Sequence, residues 1–238
     1  MHQKTLEIEK GESFDEKIAK VPILNNLKSI SLVLDYDYAD YLLSFLLLCP
    51  NLEEFHFIYE DDFTDRHLEV LAETCPKLKK FSLKCSDSGS SFEASISDSG
   101  IINFLEKLPN LEYIDIPAAC EISGSCLQKL GNFPNLRYFN VGRNNIYVGV
   151  TAQHEDLYFG GNSNERLEFV GIGNSYEFEN EEQMDKLAQS LKIVAPNLKR
   201  FDWLEDNPKL NKKIAALYPN IEQPTKYDIR DDSENNSE

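Results

Sequence analysis

One phrase repeats along this chain and dictates what it can fold into. It reads Cys49-Pro50-Asn51-Leu52-Glu53-Glu54-Phe55-His56-Phe57 and returns as Cys75-Pro76-Lys77-Leu78-Lys79-Lys80-Phe81-Ser82-Leu83. Further copies run from Pro109 to Ile116, from Pro134 to Val141 and from Pro196 to Trp203; a fragment stands at Pro219-Asn220-Ile221, and two copies without proline start at Leu27 and Leu167. Six of the ten prolines head a copy. There the ring halts the preceding helix and starts an extended segment. Behind it apolar residues fall two apart, the spacing of a strand with one buried face. Helix-period segments lie between copies, such as Leu68, Leu71 and Ala72 behind the N-cap candidate Thr64.

The units start at residues 27, 52, 78, 111, 136, 167 and 198, spaced by 25, 26, 33, 25, 31 and 31. The short spacings are those of leucine-rich repeats, and the longer ones require insertions. The expected fold is therefore α/β: a leucine-rich-repeat solenoid of about seven irregular repeats, with a curved parallel sheet on the concave side and helices on the convex side. Residues 1–26 are expected to form an N-terminal cap or partial repeat, 27–222 the repeat domain, and 223–238 an acidic disordered tail. Within the cap, Leu6 and Ile8 alternate as a short strand would, and Ser13 to Glu16 has capping-box spacing.

Cys49-Pro50-Asn51-Leu52, together with Thr64-Asp65-Arg66-His67-Leu68-Glu69-Val70-Leu71-Ala72-Glu73-Thr74-Cys75-Pro76, resembles the cysteine-containing leucine-rich repeats of F-box proteins and their ribonuclease-inhibitor-like relatives. The resemblance implies a non-catalytic protein-recognition module. In its narrower form it implies the substrate-receptor part of a ubiquitin ligase. Cullin-ligase components would then be engaged through a segment outside this chain, because nothing in residues 1–26 matches an F-box. A free-standing interaction or inhibitor scaffold is the alternative, and a GTPase-activating leucine-rich-repeat protein, for which no motif is visible, is a third reading.

Charge narrows the partner. With 41 acidic against 24 basic residues the formal charge is −17, which repels phosphate backbones and anionic lipid and favours a basic protein. Neither nucleic acid nor a membrane is expected as a partner. The longest apolar run, Tyr41 to Cys49, is far shorter than the ~20 residues of a membrane helix. The opening Met1-His2-Gln3-Lys4-Thr5 has no apolar signal region, so a cytoplasmic or nuclear monomer is expected.

No motif that carries catalytic or metal chemistry is visible in the sequence. The five cysteines show no C-x-x-C spacing; Cys49 and Cys75 share a slot suited to a small structural thiol, and Cys120 and Cys126 lack a second pair for zinc. No metal or cofactor is expected. His56 lies two residues from Glu54 but no nucleophile is tied to it, and Gly160-Gly161 lacks the context of a phosphate loop. No catalytic residue is expected.

Two stretches break the rhythm. Cys85 through Ser99, rich in serine, reads as a polar mobile loop, with the next helix starting near Ser97 or Asp98. Residues 145–166 contain a strand-like Tyr147, Val148 and Val150 and a turn at Gly160–Asn164. Asn180 and Asn207-Pro208 read as later helix starts. Asn144, at the ninth position of its unit, has the place of the asparagine that bonds neighbouring turns in such repeats, but other units hold unrelated residues there.

Alternation along each strand gives the candidate site. With positions four and six of each unit buried, positions three, five and seven share the opposite, concave wall. Three consecutive units place Tyr113, Tyr138 and Phe169 at one position, an aromatic ladder. The expected site for a protein or peptide ligand comprises Tyr113, Asp115, Tyr138, Asn140, Phe169, Gly171, Arg200 and Asp202, with Gly171 and Gly173 leaving room for the partner. The blander reading is that these rings pack on one another or under the 145–166 insertion.

Overall fold

The computed structural model describes residues 22–34, 39–59, 63–85, 94–117, 119–141, 157–172, 178, 180–203 and 207–222. Outside these ranges lie the expected cap strand and capping box, the serines at 86–91, Asn144, the 145–150 strand, Gly173 and the acidic tail.

The repeated phrase folds as a turn followed by a strand. At every copy the backbone N–H of the leucine position donates to the carbonyl three residues earlier, from Leu27 to Leu24 through to Ile221 to Tyr218, at 3.0 to 3.3 Å. Proline thus stands at the second position of a four-residue turn, which its fixed φ favours. The strands that follow are β1 (Ser29–Leu34), β2 (Glu54–Tyr59), β3 (Lys80–Cys85), β5 (Tyr113–Ile116), β7 (Tyr138–Val141), β8 (Phe169–Ile172) and β9 (Arg200–Trp203), paired in that order as one open, all-parallel seven-stranded sheet. Two short strands, β4 (Ala94–Ser97) and β6 (Ala119–Glu121), form a separate parallel pair.

Register stacks like positions on like. Ile30, Phe55, Phe81, Ile114, Phe139, Val170 and Phe201 form one row across the sheet, pointing into the core. Phe55, Phe81, Phe104 and Phe139 are among its largest fully buried side chains. Helices cover this face: Ala39–Leu46, Asp65–Thr74, Asp98–Lys107, Glu181–Val194 and Pro208–Leu217, with a 3-10 helix at Ser125–Asn132. An α/β architecture with one continuous apolar row and an open parallel sheet is what a leucine-rich-repeat-like solenoid requires.

Helix starts fall where side-chain chemistry places them. Asn180 and Asn207 accept from the N–H groups of Gln183 and Leu210, each at 3.0 Å, and the Thr64 N–H donates to His67 Nδ1 at 3.1 Å. Ser97 accepts from Gly100 N–H at 3.2 Å. The serine-rich reading of 85–99 is corrected at its end: Ala94 and Ile96 are buried and Ala94–Ser97 is a strand. Their alternation with Ser95 and Ser97 is the period of a half-buried strand, which outweighs the polar composition.

Neighbouring repeats are also tied by polar side chains. Asp65 accepts from the Ser97 N–H at 2.9 Å and from its hydroxyl. Asp98, buried, accepts from the N–H groups of Ser123, Gly124 and Cys126 at 2.6, 3.2 and 2.7 Å. The asparagine after the proline reaches the previous turn: Asn51 to the Asn25 carbonyl, Asn135 to that of Pro109, Asn197 to that of Glu165, at 2.9 to 3.1 Å. Asn164, 1% exposed, takes the Cys49 slot and donates to the Phe133 and Leu136 carbonyls, both at 2.9 Å. In the cysteine slots themselves, Cys75 Sγ donates to the Cys49 carbonyl at 3.6 Å, and burial raises the Cys49 thiol to about 12. These are structural thiols.

One rim of the sheet alternates in charge. Lys28, Glu53, Lys79, Glu112, Arg137, Glu168, Lys199 and Glu222 occupy successive turns. Each N–H from Glu53 onward donates to the carbonyl of the one before at 2.8 to 2.9 Å. Glu53 meets Lys28 and Lys79 at 2.8 and 2.7 Å, and Glu168 meets Arg137 and Lys199 at 3.1 and 3.2 Å.

Candidate functional site

Because Ile114, Ile116, Phe139 and Val141 turn into the core, the residues between them stand on the face away from the helices. The parallel register brings Lys80, Tyr113, Tyr138, Phe169 and Arg200 into one row there, and Ser82, Asp115, Asn140, Gly171 and Asp202 into the next. All eight site residues read from the sequence therefore lie together on β5, β7, β8 and β9.

The three rings stack. Tyr113 and Tyr138 have centroids 4.1 Å apart and planes 16° from parallel; Tyr138 and Phe169 are also 4.1 Å apart, at 5°. Parallel strands set this spacing, since side chains at one register position are held about 4.8 Å apart by the ladder itself. The inner faces are spent on one another, which leaves the edges and the two end faces of the stack. Each ring is half-buried.

The far end face is closed. Arg200 lies over the Phe169 ring with its guanidinium carbon 5.5 Å from the centroid, and Asp202 holds it by two bonds, Nε to Oδ1 at 2.8 Å and Nη2 to Oδ2 at 2.6 Å. A forked pair of this kind fixes the guanidinium plane. At the near end Lys80 is drawn to Glu54 at 2.6 Å instead.

Beneath the rings lies a second network. Asp115 accepts from Asn140 Nδ2 at 2.7 Å and from the Tyr113 hydroxyl at 3.3 Å, and it is 6% exposed although it stands on the open face. Burial and the Asp115 charge push the Tyr113 hydroxyl up to about 12, and the same causes, in the same order, raise that of Tyr138 further.

Gly171 does not leave the open space read from the sequence. A Cβ there would overlap the Asn140 carboxamide and touch the Phe169 ring, so the missing side chain makes room for Asn140. What sequence reasoning missed is this inward fold of Asn140 and the forked clamp on Arg200. The strand alternation places both residues, but only side-chain geometry joins them to Asp115 and Asp202.

His56, on β2 beside Ser31 and Ser82, gains no acid-base partner in the described hydrogen bonds. Among the described residues no group of three or more metal-ligating side chains occurs, and no helix is long and apolar enough to cross a membrane.

No family model and no curated protein matches the chain. Among solved structures, a Caenorhabditis elegans tropomodulin C-terminal domain is similar over 87% of this chain and 90% of that one, with TM-score 0.30 and 8% identity. The crystal structure of a TLR13–ssRNA13 complex is similar over 79% of this chain at TM-score 0.44 and 15% identity, and the chain spans 27% of that protein's length.

Proposed function

We propose that this chain is a non-catalytic recognition module that binds a protein or peptide on the open face of its sheet, the concave wall of the solenoid. Tyr113, Tyr138 and Phe169 form the centre of the site. Asp115, Asn140 and Arg200 give it polar direction, with Asp202 holding Arg200 and Gly171 making room for Asn140. The observation that carries the reading is the three-ring stack, half-buried in register on the face opposite the helices. Aromatic side chains held rigid by neighbours bring large contact area at small entropic cost, and such residues dominate interface energetics.

The narrower proposal is that the bound protein is a ubiquitination client, and it is supported by the likeness of Cys49–Leu52 and Thr64–Pro76 to F-box repeats. A free-standing scaffold without ligase partners is the alternative.

Affinity capture from cell extract tests both levels. The bait is the full chain, compared with Tyr138→Ala on the open face and Glu69→Ala on the helix side. A partner lost with Tyr138→Ala but kept with Glu69→Ala is the expected result, and a partner indifferent to Tyr138→Ala overturns the site. Cullin-ligase subunits among the captured proteins support the ligase reading. A lone stoichiometric client supports the scaffold, and a small GTPase with raised hydrolysis supports neither.

A further inference from the structure

The two ends of the aromatic stack hold their charges differently. At the Phe169 end a cation covers the outer ring and an aspartate two residues along the same strand clamps that cation. At the Tyr113 end the aspartate stands on the strand of the ring itself, as Asp115, and the residue two along from the register cation Lys80 is Ser82. Lys80, the neighbour in register, is held by Glu54 at 2.6 Å, and Lys84, exposed further along β3, makes no ion pair with Asp115 among the described residues. The Asp115 carboxylate is left with two neutral donors, the Tyr113 hydroxyl and the Asn140 amide. Beside Asp115 the row holds Ser82, a small side chain, and the neighbour of Tyr113 in register is Lys80, whose amine is drawn off the ring towards Glu54.

Resting on the proposal that this face binds a protein or peptide, we infer that its Tyr113 end is a subsite for an arginine side chain of a basic partner segment, stacked on Tyr113 and paired with Asp115. A guanidinium suits the position because it stacks on an aromatic face while its N–H groups pair with a carboxylate at the edge. A lysine would satisfy the charge but not the plane. A divalent metal ion is a poor fit, since a single carboxylate flanked by an amide and a phenol falls short of the oxygen set such ions need. The chain's overall charge of −17 draws a basic segment towards any part of its surface; an aspartate held among the described residues by neutral donors alone gives that attraction an address.

The test selects binders to the folded full chain from a random-peptide display library. Selected peptides are then measured against the wild type, Asp115→Asn and Tyr138→Ala, each checked for native circular dichroism. The expected result is enrichment of arginine, with a loss of about ten-fold or more when that arginine is replaced by citrulline, its neutral isostere. Asp115→Asn should cost a similar factor, and the two changes together should cost little more than either alone, because both remove the same pair. Wild-type binding should also weaken as salt is raised, a measurement that needs no variant. If peptides bind through Tyr138 but are indifferent to citrulline, or to Asp115→Asn, the arginine subsite is wrong and the recognition surface stands. If no peptide is enriched, or none depends on Tyr138, both fall.

Discussion

Replacing Gly171 by alanine puts a methyl group where the Asn140 carboxamide lies, so the amide must swing away and release its 2.7 Å bond to Asp115. A loss of about 1–2 kcal/mol in urea unfolding is expected, within the usual range for overpacking. Gly160→Ala should cost more, because its Cβ would meet the backbone carbonyl of Gln128, which cannot rotate aside. Alkaline titration reads the stack itself. Burial, followed by the Asp115 charge, favours the protonated Tyr113, so its contribution to stability is whole below the ordinary value of 10.0 and is lost as pH rises towards about 12. Tyrosinate absorbance should show Tyr113 and Tyr138 ionising late, and Asp115→Asn should bring Tyr113 earlier. The positions of Tyr113, Tyr138 and Phe169 were legible in the sequence because strand register follows from aligning the copies. The fold of Asn140 over Gly171 was not, since alignment carries no rotamers.

Between elements the strongest single tie is Asp98, whose carboxylate is shared by three N–H groups of the following repeat. Asp98→Ala would leave the buried N–H groups of Gly124 and Cys126 without this acceptor, and a loss of about 2–4 kcal/mol is expected in denaturant unfolding. Asn135→Ala, which removes the bond to the Pro109 carbonyl and the one accepted from Arg166, both at an exposed turn, should cost about 1 kcal/mol or less. Helix starts at Thr64, Ser97, Asn180 and Asn207 were readable because capping is local chemistry. The role of Asp98 was not, because its partners lie a whole repeat away. A readable signal lies in the asparagine that follows proline, as Asn51, Asn110, Asn135, Asn197 and Asn220. At the ninth position of the unit only Asn144 fits, while the inter-turn bonds of Asn51, Asn135 and Asn197 run from the residue just before each unit's leucine.

Across the whole molecule the charged rim offers a test of how the repeats are ordered. Glu53→Lys would set three cations on adjacent turns, and the denaturation midpoint should fall at low salt and recover largely at high salt. Bonds from Lys28 and Lys79, with their charges, hold the Glu53 carboxyl at about 2 against an ordinary 4.5. Its contribution is therefore present above 4.5 and fades as pH falls through 2, which the same variant should abolish in an acid titration. That alternation also gives the coil a parity. Excising a single unit from the middle would bring two charges of one sign together, whereas excising two would leave plus facing minus at the join. On this rim, then, the length of the protein can change in pairs of units without penalty, and a lone duplication would call for a reversal of sign in every unit on one side of it.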